Sequence, residues 1–235
     1  MKGYDMTYLE LNLDPFVSLW RELNVSIINP LNLLSYVENS YTGGITFSYK
    51  PNRPLFSEIS TLRKLTNCRI NIRITPDMEK FKKVKDLAPD VITLYNDENE
   101  YNIVELPSKT VSKIVNESRA AKIPVILRIA PHIKQLKHVY KLKCSQTELA
   151  TNRLDAMDTK VKFDKVLTQL SRCYNVAKKN NLRISFGGNL NKRLILALKR
   201  LMTPEFYSMG RYILSFSLVK GFENVLEDTV EMIEK

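Results

Sequence analysis

Short apolar runs alternate with amphipathic segments along most of the chain. The runs have the length of β-strands, and the segments between them repeat apolar residues at the spacing of an α-helix. The pattern predicts eight strands, at Tyr8–Leu13, Gly44–Phe47, Arg69–Ile74, Val91–Leu94, Pro124–Ile129, Ser145–Leu149, Leu182–Phe186 and Phe206–Met209.

Helices are predicted between these strands. Asn29-Pro30 marks one start, because Asn caps helices well and Pro suits the first helical position. A polar stretch, Ala150–Asp158, is interpreted as a linker. The predicted helices are Asn29–Ser40, Ser57–Leu65, Asp77–Leu87, Ser108–Lys122, Ile133–Tyr140, Lys162–Asn180, Leu190–Leu201, Ile213–Val219 and Phe222–Glu234.

Eight strand–helix units predict an α/β fold, a (β/α)8 TIM barrel that forms a single domain over residues 1–235. A doubly wound open sheet is the alternative, but that architecture rarely contains eight units. Neither a linker between domains nor a strong internal repeat interrupts the pattern.

The composition is that of an ordinary globular protein, with 44% hydrophobic and 26% charged residues among 235. No apolar run approaches the roughly 20 residues of a membrane helix, and the first residues do not resemble a signal peptide. Three cysteines stand far apart, and there are only two histidines. We therefore expect a cytoplasmic protein without a disulfide scaffold, a metal site or a bound cofactor.

The chain is strongly basic, with a formal net charge of +11. Such a surface attracts phosphorylated metabolites, anionic lipid or nucleic acid. Nucleic acid is the least favoured of these partners, because no motif interleaves aromatic and basic residues. The lysine-rich segments are also consistent with ordinary solvated helix faces.

The glycines point to a site at the carboxyl ends of the strands, where TIM barrels carry their chemistry. Only seven glycines occur in the chain; Gly187 and Gly188 follow the seventh predicted strand, and Gly210 follows the eighth. Glycine lets backbone N–H groups approach an anion, and a helix N-terminus favours negative charge. With Asn189 and Arg211, these glycines predict a phosphate-binding cup. The alternative is that they only form tight turns.

Other polar residues stand near predicted strand ends. Asn12 and Asp14 alternate with leucines, so both are expected on one face of the first strand, although Asp14 could equally be a loop carboxylate. Glu148 is either a carboxylate at the barrel mouth or part of a surface ion pair. No histidine occupies a predicted strand end, so groups suited to proton transfer are scarce. The remaining candidates are Ser48, Tyr49, Lys50, Arg53, Asn71 and Arg73.

The chain resembles the PdxJ family of bacterial pyridoxine 5'-phosphate synthases. The resemblance rests on LNLDPF, GGITFSYKPNR and RINIRIT in the first half, and on KKNNLRISFGGNLN and YSMGRYILSFSLVKGFENVLEDTVEMI near the end. It implies a TIM barrel that condenses 1-deoxy-D-xylulose 5-phosphate with 3-amino-2-oxopropyl phosphate and releases inorganic phosphate. It also implies a homo-oligomer, built from dimers and octameric in the family.

The resemblance assigns roles to several matching positions. Asn12 matches a residue that binds the amino-ketone phosphate, and Asp14 one that contacts the xylulose substrate. Glu148 matches a glutamate that steadies the transition state, and Lys50 replaces an arginine that binds substrate phosphate. The predicted substrate- and phosphate-binding residues are Asn12, Asp14, Lys50, Arg53, Gly188, Asn189, Gly210 and Arg211.

The chain departs from the family at its catalytic positions. Ser48, Arg73 and Gly188 stand where the family has histidine, glutamate and histidine. Two hypotheses follow. A divergent synthase would use Glu148, Lys50 and Asp14 as catalytic groups, with Tyr49 in support. A catalytically impaired paralogue would instead bind a phosphorylated ligand at the cup, or partner an intact synthase.

Overall fold

A computed structural model describes residues 6–23, 29–40, 42–50, 61, 63–64, 66–99 and 102–234. Its eight strands form one closed parallel barrel in sequence order, and the first strand pairs with the last. The predicted TIM barrel is therefore confirmed. The strands are β1 (Tyr8–Asn12), β2 (Gly44–Ser48), β3 (Ile70–Ile74), β4 (Val91–Leu94), β5 (Val125–Ile129), β6 (Gln146–Ala150), β7 (Arg183–Gly187) and β8 (Phe206–Met209).

Ten helices surround the barrel in the described part of the chain. Four of them begin at a residue whose side chain caps the helix; Asp77, for example, accepts hydrogen bonds from the backbone amides of Glu79 and Lys80. The helices are α1 (Asp14–Leu23), α2 (Pro30–Asn39), α3 (Met78–Lys85), α4 (Lys109–Ala120), α5 (Ile133–Lys141), α6 (Asn152–Asp155), α7 (Lys160–Lys179), α8 (Lys192–Lys199), α9 (Arg211–Lys220) and α10 (Phe222–Glu234). Within these ranges, no helix combines the length and apolarity that crossing a bilayer requires.

The sequence pattern missed two helices, α1 and α6. Asp14 begins α1 rather than extending β1, because Oδ1 of Asn12 accepts a hydrogen bond from its backbone amide, 2.8 Å long, and turns the chain. The prediction that Asn12 and Asp14 share a strand face is therefore wrong. The predicted linker Ala150–Asp158 instead ends β6 and contains α6. Of the predicted helix Ser57–Leu65, only residues 61, 63 and 64 are described, and they are helical.

The lower half of the barrel lumen holds a polar network. Nδ2 of Asn71 donates to Glu10 across 3.0 Å, Arg69 donates to the same carboxylate oxygen across 2.8 Å, and Thr93 donates to Asn71 across 2.8 Å. Because β2 separates β1 from β3, the contact between Asn71 and Glu10 must cross the lumen. Asn71 therefore lies deep in the barrel, whereas the sequence placed it near a strand end.

Apolar residues fill the layer between the strands and the helices. Along β5, Val125, Leu127 and Ile129 alternate with Ile126 and Arg128, and all five are buried. Successive side chains of a strand point to opposite faces, so every second position enters the lumen. This alternation places the charged side chain of Arg128 inside the barrel.

Candidate functional site

The loops after β7 and β8 meet at the mouth of the barrel. Nη1 of Arg211, the first residue of α9, donates a 3.0 Å hydrogen bond to Oδ1 of Asn189. Gly188 has a φ of +114°, a conformation that favours glycine. A Cβ on Gly210 would overlap the carbonyl oxygen of Asn12, so a side chain there would push the loop away from β1. The residues of the predicted cup are thus brought together.

The cup opens onto a cavity of about 150 Å³. Three arginines, Arg73, Arg128 and Arg211, line it together with one carboxylate, that of Asp14. The side chains therefore favour an anionic occupant. The complete lining within the described ranges is Asn12, Asp14, Pro15, Ser48, Arg73, Tyr95, Asn102, Arg128, Asn152, Gly188, Asn189, Leu190, Ser208, Met209, Gly210 and Arg211.

Glu148 lies below the cavity rather than at the end of its strand. It is the third residue of β6 and is 1% exposed. Arg128 donates from Nη1 to Oε1 of Glu148, and Nη2 of Arg73 lies 3.5 Å from the same oxygen. Glu148 therefore lies in the middle of its strand and not at the end, directly against two arginines of the cavity lining. The alternative of a surface ion pair is wrong, because this cluster is buried.

Arg128 is the most heavily buried cation of the site. Its Nη2 donates a 2.7 Å hydrogen bond to Oδ1 of Asn152, the first residue of α6. Burial lowers the pKa of the Arg128 guanidinium well below its ordinary value, and the nearby charge of Arg73 lowers it further. Sequence reasoning overlooked Arg128, although a charged residue inside the apolar run VILRI was a signal.

Asp14 and Ser48 form the other wall of the cavity. The Ser48 hydroxyl donates to Oδ2 of Asp14 across 2.6 Å, and the Ser48 amide donates to Oδ1 across 2.8 Å. Tyr95 lines the cavity together with Ser48, and its ring faces the guanidinium of Arg73 at 5.3 Å. Burial raises the pKa of the Tyr95 phenol, and the negative charge of Asp14 raises it further. Tyr95, which directly follows β4, was also overlooked.

Gly187 and Gly188 make room for these side chains. A Cβ on Gly188 would overlap Oδ1 of Asn152 and lie 2.7 Å from Nη2 of Arg128. A Cβ on Gly187 would lie 2.9 Å from Cδ of Glu148. The space beside position 188 is thus already occupied by Arg128 and Asn152, which gives a packing reason for glycine there.

Two predicted site residues are not placed at the cavity. Lys50 is exposed after β2 and is absent from the described cavity lining. Tyr49 is buried, and its amide donates to the carbonyl of Arg73 across 2.7 Å. Arg53 lies outside the described residues. Across the described ranges, His, Cys, Asp and Glu side chains nowhere form a group of three or more that could hold a metal ion.

Residues 9–235 match a family model described as "Pyridoxal phosphate biosynthesis protein PdxJ". The chain belongs to the PdxJ family. Similar PdxJ relatives include the pyridoxine 5'-phosphate synthase of Prochlorococcus marinus (strain SARG), 22% identical with 97% of this chain and 96% of the relative covered. The pyridoxine 5'-phosphate synthase of Thermosynechococcus vestitus is 24% identical, with 97% and 99% covered.

Solved structures similar to this PdxJ-family chain include other TIM barrels. A tryptophan synthase α-subunit from Pyrococcus furiosus superposes with a TM-score of 0.60 at 17% identity, covering 86% of this chain and 90% of that one. A 3-keto-L-gulonate-6-phosphate decarboxylase from Vibrio cholerae gives a TM-score of 0.60 at 14% identity, covering 97% and 99%. At such low identity these similarities concern the fold alone.

Proposed function

We propose that this protein acts in vitamin B6 biosynthesis and binds a phosphorylated small molecule at the cup formed by Gly188, Asn189, Gly210 and Arg211. The observation that carries the proposal is the hydrogen bond from Arg211 to Asn189, which joins the two glycine-containing loops at the cavity. Membership of the PdxJ family supports the pathway. The family substrates 1-deoxy-D-xylulose 5-phosphate and 3-amino-2-oxopropyl phosphate, and inorganic phosphate, are the ligands to test.

The catalytic candidates favour ligand binding over the family condensation. Glu148 is held by two arginines, which disfavours its use as a proton carrier. Lys50 is exposed and outside the described cavity lining. Asp14 already accepts two hydrogen bonds from Ser48. General acids and bases commonly contribute about 10²–10⁴ in rate, so their loss would impair the standard reaction severely.

Calorimetric titration with 1-deoxy-D-xylulose 5-phosphate tests the binding. Arg211→Gln should weaken it by about tenfold or more, because a charge-assisted contact to phosphate is lost. Arg200→Gln is the matched control, since Arg200 is equally cationic, exposed and outside the described cavity lining. Equal affinity in both variants would refute the phosphate cup, whereas no binding by the unmodified protein would exclude this substrate as its ligand.

A second candidate function is the condensation itself, favoured by the hydrogen bond from Ser48 to Asp14 at the cavity wall, where Tyr95 also lies. Incubation with both family substrates, followed by mass spectrometry for pyridoxine 5'-phosphate, tests it against a heat-killed control. Product that disappears in Tyr95→Phe would establish a divergent synthase. Absence of product would leave the ligand-binding paralogue as the favoured interpretation.

Self-association is also proposed for this chain. Near the end of α9, Phe216, Leu218 and Val219 are 44%, 75% and 86% exposed, which is unusual for large apolar side chains on a monomer. The family resemblance implies assembly from dimers. Light scattering during size-exclusion chromatography should give a mass of at least twice 27.2 kDa, and a monomer at micromolar concentration would contradict the proposal.

A further inference from the structure

The floor of the cavity carries an excess positive charge. Arg73 and Arg128 are 7% and 3% exposed, and Glu148 is 1% exposed. Both guanidinium groups approach the same carboxylate oxygen. Among the residues of this cluster, one buried anion therefore faces two buried cations, and the cluster has a net positive charge. Buried charges are stable only when they are paired, so a further anion would stabilise this arrangement.

Arg73 also has an unused donor. Its Nε is buried and has no hydrogen-bond partner within the described part of the chain. Arg73 is itself part of the cavity lining. The Nε–H and an adjacent Nη–H of a guanidinium form a planar fork that fits the two oxygens of a carboxylate. The unpartnered atom and the excess charge thus point to one kind of ligand group.

The cavity is small, and it connects this floor to the cup. Its volume of about 150 Å³ lies below the roughly 300–1,000 Å³ of sites for drug-sized ligands. Gly188, Gly210, Arg73 and Arg128 all line it. A ligand whose phosphate is bound at the cup would therefore have its other end at Arg73 and Arg128.

We propose that the cavity binds a phosphorylated carboxylic acid of two to four carbons, with its carboxylate paired to Arg73 and Arg128. The inference rests on the proposed phosphate cup and adds the class of ligand. A carboxylate carries a single negative charge, which matches the excess on the floor. A second phosphate would bring up to two charges and more bulk into a cavity of this size.

Calorimetry with two probes of similar size tests the inference. 2-Phosphoglycolate carries both a phosphate and a carboxylate, whereas ethyl phosphate lacks the carboxylate. The unmodified protein should bind 2-phosphoglycolate about tenfold or more tightly than ethyl phosphate. In Arg73→Gln the preference should largely disappear, and in Arg73→Lys it should be intermediate, because lysine keeps the charge without the fork.

Arg211→Gln is the matched control at the other end of the ligand. It should weaken the binding of both probes equally and leave their ratio unchanged. Equal affinity of the unmodified protein for the two probes would overturn this inference while leaving the phosphate cup intact, and this comparison needs no variant to fold. A preference that survives in Arg73→Gln, or tighter binding of 1,2-ethanediol bisphosphate, would also overturn it. If neither monophosphate probe binds, the phosphate cup fails and this inference fails with it.

Discussion

The carboxylate of Asp14 accepts two hydrogen bonds from Ser48, one from the hydroxyl at 2.6 Å and one from the backbone amide at 2.8 Å. Asp14 is the first residue of α1, and Ser48 is the last residue of β2. The pair therefore anchors the start of a helix to the end of the neighbouring strand, at the edge of the cavity. The carboxylate supports the barrel mouth whether or not it also contacts a ligand.

Asp14→Ala should destabilise the protein by about 1–3 kcal/mol, because the Ser48 amide loses its acceptor. Ser48→Ala removes only the hydroxyl and should cost about 1 kcal/mol. Urea unfolding of both variants measures the difference. A smaller loss in Asp14→Ala than in Ser48→Ala would show that the backbone hydrogen bond contributes nothing.

Glu148→Gln should be far more damaging. It removes the negative charge that Arg73 and Arg128 share, and breaking such a buried ion pair typically costs about 3–5 kcal/mol. The control is Asp158→Asn on the exposed pair with Lys162, whose side chains are 69% and 61% exposed. That change should cost less than about 0.5 kcal/mol. Similar unfolding midpoints for the two variants would contradict the assigned role of Glu148.

An activity measurement on Glu148→Gln must therefore be accompanied by a stability measurement. Loss of activity in that variant would follow from a collapsed cavity floor as readily as from a missing catalytic group. Variants of Arg73 and Arg128 need the same stability measurement, because each arginine contacts Glu148. For variants that remain folded, the ratio of the affinities for 2-phosphoglycolate and ethyl phosphate distinguishes a collapsed cavity floor from a missing catalytic group.

The strand pattern predicted the barrel well because each strand is a buried apolar run whose length differs little from the observed one. β4 and β8, for example, begin and end where the pattern placed them. α1 was missed because Leu11, Asn12, Leu13 and Asp14 continue the alternation of a strand. Only the hydrogen bond from the Asp14 amide to the Asn12 side chain shows that the strand has ended.

The cup was also predictable, since scarce glycines after two late strands are visible in the sequence. The cavity floor was not. Arg73 on β3, Arg128 on β5 and Glu148 on β6 meet only because inward positions of separate strands share one lumen. In the sequence, the departures at positions 73 and 188 are two separate losses of a family catalytic residue. The structure connects them, because Arg128 contacts the carboxylate beside Arg73 and also fills the space next to Gly188.

Acid should weaken the contact between Asp90 and Arg63. Burial alone would raise the pKa of Asp90, but hydrogen bonds from Arg63 and from the Ile70 amide, together with the charge of Arg63, lower it below its usual value. A lowered folded-state pKa stabilises the fold above the unfolded value of about 3.9, and the contribution is lost as the pH falls through the folded value.

The stability difference between the unmodified protein and Asp90→Asn should therefore shrink between about pH 7 and pH 3. The change should be modest, since both partners are more than a third exposed. Urea midpoints at the two pH values measure it. Asp164→Asn, which removes an exposed carboxylate on α7, is the control. An equal difference for Asp90→Asn at both pH values would contradict the prediction.

Gly188→Ala tests how closely the cup is joined to the cavity floor. The new methyl group would overlap Asn152, lie 2.7 Å from Nη2 of Arg128 and hold a φ of +114° that alanine rarely adopts. Gly221→Ala also has a positive φ, +83°, but its nearest neighbour, Nδ2 of Asn224, is 3.8 Å away. Gly221→Ala should therefore cost about 1 kcal/mol from backbone strain. Gly188→Ala should cost at least 1 kcal/mol more, because tightly packed groups must also move.

Thermal and urea unfolding of both glycine variants give the stabilities, and phosphate-ester titration reports on the cup. The double variant Gly188→Ala/Asn152→Ala should recover part of the loss, since it removes the nearest obstacle while the backbone strain remains. Equal destabilisation by the two single glycine changes would mean that Asn152 and Arg128 move aside at no cost. In that case the cup and the floor would be independent, and the affinity for 2-phosphoglycolate should be unchanged in Gly188→Ala.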